Sequence, residues 1–244
     1  RIHELSCEYG FKIIEDASHA IGASTPSSKV GNCELSDITV FSFHPVKIIT
    51  TGEGGMALTN SEELYNQMNL LRSHGVTRDP RLLAHDHGPW YYEQIALGFN
   101  YRMTDIQAAL GVSQIKRLDH FISKRNEIAD KYYKALNGLP LKLPSIMNGY
   151  LSAFHLYVIR LELAEIFPIT HRQVFECLRE NGIGVNLHYI PIHTQPFYQR
   201  LGFKWGDFPN SERYYNEAIS IPIFPGLKAN EQDETISKIL EIVS

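Results

Sequence analysis

A chain of 244 residues with 43% hydrophobic content is long enough to bury a sizeable core, in one large domain or two small ones. Its 23 basic and 27 acidic residues are interspersed for a formal net charge of -4, which argues against a nucleic-acid or membrane surface as the main partner. No run approaches the roughly twenty apolar residues that cross a bilayer, and Cys7, Cys33 and Cys177 are widely separated with no Cys-x-x-Cys pair, so a disulfide framework or a zinc site is not expected and a reducing cytoplasm fits.

In chain order, residues 1–10 read as the last turns of an amphipathic helix with Gly10 as its C-cap, and the absence of an initiator methionine marks the chain as a fragment. Strands are expected near Lys12–Glu15, Ile38–Phe43 and Met56–Thr59, followed by a helix that Ser61 opens and that runs to about Ser73. Gly75 to Gly98, rich in Gly, Pro, His and aromatics without a period, reads as a long functional loop. From Thr104 to Leu136 the apolar residues keep helical spacing over a length that predicts a linking helix broken near Asp119. Beyond Leu139–Pro144 the pattern becomes a smaller α+β domain. It has a strand within Ala153–Leu163, a helix from Thr170 to Asn181, a strand over Val185–Ile190, a helix from Ser211 to about Ile219, a short strand at Ile221–Ile223 and a last helix from Asn230.

The chemistry concentrates in Phe41-Ser-Phe-His-Pro-Val-Lys-Ile-Ile-Thr-Thr-Gly-Glu-Gly-Gly55, which sets Lys47 between a strand and a turn whose glycines allow close backbone approach to a ligand. A lysine amine works in Schiff-base chemistry when a partly desolvated site lets it lose its proton near neutral pH. Upstream, Phe11-Lys-Ile-Ile-Glu-Asp16 reads as a strand with an acid at its C-terminal end, where open α/β sheets bind ligands. Pyridoxal phosphate requires that pair: an acid to keep the pyridine nitrogen protonated and a lysine to carry the cofactor. Taken singly, Lys47 reads first as a solvated lysine after a proline turn, and Asp16 could instead be a helix N-cap.

Glu15-Asp-Ala-Ser-His-Ala20 and Ser42-Phe-His-Pro-Val-Lys-Ile-Ile-Thr-Thr-Gly-Glu-Gly-Gly55 together resemble the DegT/DnrJ group of pyridoxal-phosphate-dependent sugar aminotransferases. Within that group Gly88–Gln94, Leu97–Gln107, His188–His193 and Gly206–Glu212 resemble the transaminases of the pseudaminic acid pathway, and the likeness extends from Phe11 to about Asp233. The resemblance implies an α/β fold of the aspartate-aminotransferase kind, fold type I, with a mixed sheet. Residues 1–137 would be the remainder of the cofactor-binding large domain with its linking helix, and 138–244 the small C-terminal α+β domain. The phosphate loop and the aromatic that covers the cofactor ring lie, in such enzymes, before the point where this chain opens.

The same resemblance implies the site. Lys47 is the Schiff-base lysine and proton carrier, Asp16 pairs with the pyridinium, His19 lies against the cofactor and Ser42 donates to its phosphate. Asn100 reaches the phosphate of the other subunit's cofactor, which implies a homodimer with shared sites. Arg102, His188, Tyr189 and His193 are assigned to the substrate side. The blander readings are a buried histidine at a helix start for His19, an ordinary strand serine for Ser42, a left-handed-turn residue for Asn100 and a surface ion pair for Arg102. His188 and His193 have no third ligand at helical spacing, so no metal is expected.

The implied reaction moves an amino group from glutamate to C4 of a UDP-linked 4-keto-6-deoxy-N-acetylhexosamine. Related dehydratases carry histidine in place of the lysine, so Lys47 speaks against them. A nucleotide-sugar aminotransferase acting at C3 or on another sugar, and an inactive sugar-binding homologue, stay open as alternatives.

Overall fold

The computed structural model describes residues 1–243, and the chain divides into two compact units, Arg1–Leu118 and the residues from Asp119 onward. The first unit opens with α1 (Ile2–Tyr9), which ends where Gly10 turns left-handed at φ 72° and returns its N–H to the Ser6 carbonyl. β1 (Ile14–Asp16) lies parallel to β2 (Ile38–Ser42), and β2 is antiparallel to β3 (Gly55–Leu58). Asp16 pairs in register with Val40 and Ser42 with Gly55. The carboxylate of β1 and the serine of β2 therefore stand at the same, C-terminal end of two neighbouring parallel strands. Thr39 and Phe41 form the buried face of β2. Gly31, at φ 99°, is required beneath Phe41, because a Cβ there would come within 2.8 Å of the ring.

Ser61 caps α2 (Glu62–Leu71) by accepting the Leu64 N–H at 3.3 Å, with Glu62 and Glu63 in the favourable first turn. The long loop holds a short antiparallel pairing of β4 (Val76–Thr77) with β5 (Glu93–Gln94). The predicted long helix is two helices, α3 (Asp105–Ile115) and α4 (Leu118–Leu136), and the break at Lys116–Arg117 falls close to the expected Asp119.

In the second unit β6 (Leu141–Lys142), β7 (Tyr157–Leu161) and β8 (Ala218–Ile221) make an antiparallel sheet in the order β6-β7-β8. α4, α5 (His171–Glu180) and α8 (Ala229–Val243) supply its apolar cover. Ile128, Tyr132 and Leu136 of α4, Val174 and Leu178 of α5, and Ile236, Ile239 and Val243 of α8 recur at three- and four-residue intervals. They share one core with Tyr157, Ile159 and Leu161 of β7 and Ile219 and Ile221 of β8. The linking helix, which the resemblance groups with the large domain, packs with this sheet, and the division into compact units falls at 118/119. Arg125 of α4 is buried without a carboxylate among the described residues. One guanidinium nitrogen donates to the carbonyls of Phe154, His155 and Ile223, and burial pushes the guanidinium down to about 10.

Three expected elements differ. Val185–Ile190 is irregular, and its backbone meets the sheet at the bridge of Asn186 with Ser220. The helix expected to start at Ser211 is α7 (Pro209–Glu217), preceded by a short helix, α6 (Pro196–Gln199). Pro209 presets its first turn, and the Glu212 carboxylate accepts the N–H groups of Gly206 and Phe208, so a serine cap is not what starts it. The strand placed at 221–223 runs instead over Ala218–Ile221, whose four residues are all buried.

Candidate active site

Asp16, Ser42 and Lys47 gather at the C-terminal end of the β1/β2 pair. The Asp16 carboxylate accepts both the hydroxyl and the backbone N–H of Ser18, the latter at 3.0 Å. These two hydrogen bonds hold its pKa below the ordinary carboxylate value against the opposing effect of burial, and the charges of His19 and Lys47 add the smallest contributions in the same downward direction. A carboxylate kept ionised at a strand end is what a protonated ring nitrogen would need as partner.

Lys47 is half-buried at the crown of a closed turn. The turn is pinched at its base by Phe43, whose N–H donates to the Gly54 carbonyl at 2.8 Å. The Phe43 carbonyl accepts the Thr51 N–H and the Thr50 hydroxyl, each at 3.0 Å. Within it the Lys47 N–H donates to the His44 carbonyl at 2.9 Å. The buried flanks Phe43, Ile48 and Ile49 anchor the turn from inside, and Val46, 64% exposed, leaves its outer side open. Gly52 is left-handed at φ 83°, and a Cβ on Gly54 would collide with the Thr51 hydroxyl and stand 2.8 Å from Met103. At Gly54 the backbone approaches its neighbours too closely for a side chain, so that glycine serves packing, while Gly52, with open space around it, serves conformation alone.

His19 is exposed in the turn after β1. Ser42 is half-buried, its hydroxyl accepting the His44 N–H at 3.4 Å. Asn100 and Arg102 sit elsewhere in the unit, in a segment laid along the end of α2. There Phe99 N–H donates to the Leu71 carbonyl at 2.7 Å, His74 N–H to the Phe99 carbonyl at 2.9 Å, and Tyr101 N–H to the Arg72 carbonyl at 3.0 Å. Gly75 and Gly98 permit that approach, since a Cβ on Gly75 would strike the Ala96 carbonyl oxygen and one on Gly98 the Gly75 nitrogen. Beside it lies a cavity of about 490 Å³ lined by Ser73, His74, Val76, Arg78, Tyr92 and Arg102, with the Arg78 guanidinium over the Tyr92 ring at 5.7 Å. Two guanidiniums and no acid line it.

In the second unit, His188 Nδ1 is 2.8 Å from the Ser220 hydroxyl, and its ring meets the exposed Tyr189 edge-on at 4.7 Å. His193 is buried, with Nε2 2.8 Å from a Glu212 carboxylate oxygen and its ring 4.8 Å from that of Phe208. His193 borders a cavity of about 380 Å³ whose other walls include Ile192, Tyr198, Phe203 and Phe208. Among the described residues no three His, Cys, Asp or Glu side chains converge as metal ligands would, and no helix is long and apolar enough to cross a membrane.

Sequence reasoning passed over Ser18, which holds the Asp16 carboxylate, and Thr50, Thr51 and Gln107, which hold the Lys47 turn. A signal for Gln107 existed, since Thr104-x-x-Gln107 has the capping-box spacing. Its second partner, the Glu53 carbonyl, lies 54 positions away and carries no local signature.

Residues 1–240 match the model of the DegT/DnrJ/EryC1/StrS aminotransferase family, and the chain belongs to that family. A UDP-4-amino-4,6-dideoxy-N-acetyl-beta-L-altrosamine transaminase of Campylobacter jejuni is 38% identical over 99% of this chain and 62% of its own length. Helicobacter pylori PseC, an aminotransferase involved in the biosynthesis of pseudoaminic acid, superposes with a TM-score of 0.87 at 31% identity, over 99% of this chain and 62% of PseC. Spr1654 of Streptococcus pneumoniae, in its PLP-form, does so with a TM-score of 0.83 at 27% identity, covering 98% and 61%. The chain spans about three fifths of the length of the relatives it matches.

Proposed function

We propose that the protein is a pyridoxal-phosphate-dependent aminotransferase that moves an amino group from glutamate to C4 of a UDP-linked 4-keto-6-deoxy-N-acetylhexosamine, in the cytoplasm, as a homodimer with shared sites. The observation that carries this reading is the Asp16 carboxylate, held ionised by Ser18 at the end of β1 and within the electrostatic reach of Lys47 on its glycine turn. Family membership and the likeness to the C. jejuni transaminase and to PseC support the substrate class.

When bound, pyridoxal phosphate supplies an electron sink for the bond that breaks at the carbon bearing nitrogen. The chain's own residues do the rest. Lys47 Nζ anchors the cofactor and, once free, takes and returns the proton as general base and acid. Asp16 keeps the ring nitrogen positively charged. Ser42 donates its hydroxyl to the phosphate, with His19 beside the ring. Asn100, on the exposed segment along α2, serves the phosphate of the partner subunit's cofactor. Arg102, sharing an acid-free cavity with Arg78, offers charge to an anionic substrate group, and His188, Tyr189 and His193 belong to the sugar side.

Transfer of nitrogen-15 from labelled glutamate to the sugar tests the reading directly. Label at C4, located by NMR, is the expected result. Label at C3 identifies a different nucleotide-sugar aminotransferase, and no label with retained sugar binding identifies an inactive homologue.

A further inference from the structure

Met103, just ahead of the Thr104 cap, and two residues of α3 face the glycine turn that carries Lys47. Met103, Gln107 and Gly111 follow one another at four-residue spacing, and each meets a different residue of the turn. The Met103 methyl stands 2.8 Å from where a Cβ on Gly54 would be, Gln107 Nε2 donates to the Glu53 carbonyl at 3.1 Å, and Gly111 leaves room for the Thr51 methyl, which lies 2.9 Å from where its Cβ would sit. The same Glu53 carbonyl accepts the Thr51 hydroxyl at 2.7 Å, and Thr51 is only 3% exposed. Gln107 therefore has two tasks on opposite ends of one amide. Its oxygen accepts the N–H and hydroxyl of Thr104, at 2.9 and 3.0 Å, to cap the helix, while its NH2 holds the turn.

We infer that Gln107 is a positioning residue for Lys47: its amide ties the carbonyl next to the pinched base of the 43–54 turn to the capped start of α3, and so fixes the height at which the lysine is presented. A hydrophobic residue at this helix position would leave the Glu53 carbonyl to its intraloop bond alone. A helix that merely packed near the turn would need neither the donor nor the missing side chain at Gly111. The tie also makes the Asn100–Arg102 segment, which ends two residues before the Thr104 cap, continuous with the Lys47 turn through a single hydrogen-bonded corner. The significance of Lys47 rests on the aminotransferase reading, but the tie itself does not.

Two variants separate the tasks. Gln107→Glu keeps an oxygen for Thr104 and places an acid in the first turn, where the helix dipole favours it, yet removes the donor to Glu53. Gln107→Leu removes both. Amide hydrogen exchange of the peptide covering residues 43–55 is the readout, with thermal melting alongside and with pyridoxal phosphate labelling of Lys47 in the unaltered protein as the separate check on its chemistry. In both variants exchange in this peptide is expected to quicken about fivefold, the scale of one lost hydrogen bond, with the melting temperature of Gln107→Glu unchanged. Unchanged exchange in both overturns the inference. Quickened exchange in Gln107→Leu alone also overturns it, because the effect then comes from the lost cap.

Discussion

In the second unit α4, α5 and α8 each press an apolar stripe against β7 and β8, and Tyr132, Leu136, Ile159, Leu178 and Ile219 are wholly enclosed. In the first unit α2 and α3 bury no residue fully, β1 and most of β3 are exposed, and the enclosed residues collect around β2 and the Lys47 turn. The two units thus spend their interactions on different things. One gains its order from dispersed hydrophobic packing, so no single contact decides it. The other orders a short stretch of backbone, through hydrogen bonds at Phe43, Thr50, Thr51 and Gln107 and glycines that admit close approach, around one amine and one carboxylate.

That contrast sets the expected effects of substitution. Lys47→Ala is expected to abolish transamination while leaving the melting temperature and the oligomeric state alone, because the side chain is half-buried and its loss opens no core cavity; retained turnover measured with labelled glutamate would remove Lys47 from the chemistry. Leu178→Ala acts in the opposite way. It empties an enclosed site in the second unit and is expected to cost roughly 2–5 kcal/mol in denaturant unfolding, without changing pyridoxal phosphate labelling of Lys47.

A pH titration sharpens the same comparison. At Glu212 burial alone would raise the carboxyl pKa, but the hydrogen bonds from His193 and from the Gly206 and Phe208 N–H groups outweigh it and hold the group below its ordinary 4.5. A carboxyl depressed on folding contributes stability that is present above its unfolded value and is lost as pH falls through the folded one. Melting of the second unit should therefore weaken as pH is lowered from 4.5, and Glu212→Gln should flatten that dependence; equal slopes in the two proteins would deny the pairing any role. The smallest effect is expected at a helix end. Thr170 caps α5 in the same Thr-x-x-Gln box that Thr104 makes at α3, so Thr170→Ala should cost about 1 kcal/mol of unfolding free energy and nothing in catalysis.

Much of this was legible before any coordinates. Ser61 and Thr170 announced their helices by cap chemistry, Gly10 its helix end, and the alternation through β7 and the helical spacing of α4 gave their buried faces. The sugar-aminotransferase motifs marked Asp16 and Lys47 as one constellation. The register of β1 against β2 is what brings those strand ends level, and no local pattern encodes it. The elements misread are those where a tertiary partner replaces a local signal. Glu212 takes over the capping task at α7 from three positions inside the helix, and β8 is drawn to 218–221 by pairing with β7. Gln107 was hidden for the same reason, since its helix-capping half is local and its turn-holding half is not.

The measurement that bears most directly on the central claim is to incubate the protein with pyridoxal phosphate, reduce with borohydride and map the modified peptide by mass spectrometry. Selective modification at Lys47, weakened in Asp16→Asn, is the result expected of a lysine presented beside an ionised carboxylate. Absence of modification, or its spread over several of the exposed lysines with Lys47 no more reactive than Lys12 or Lys131, would contradict the account.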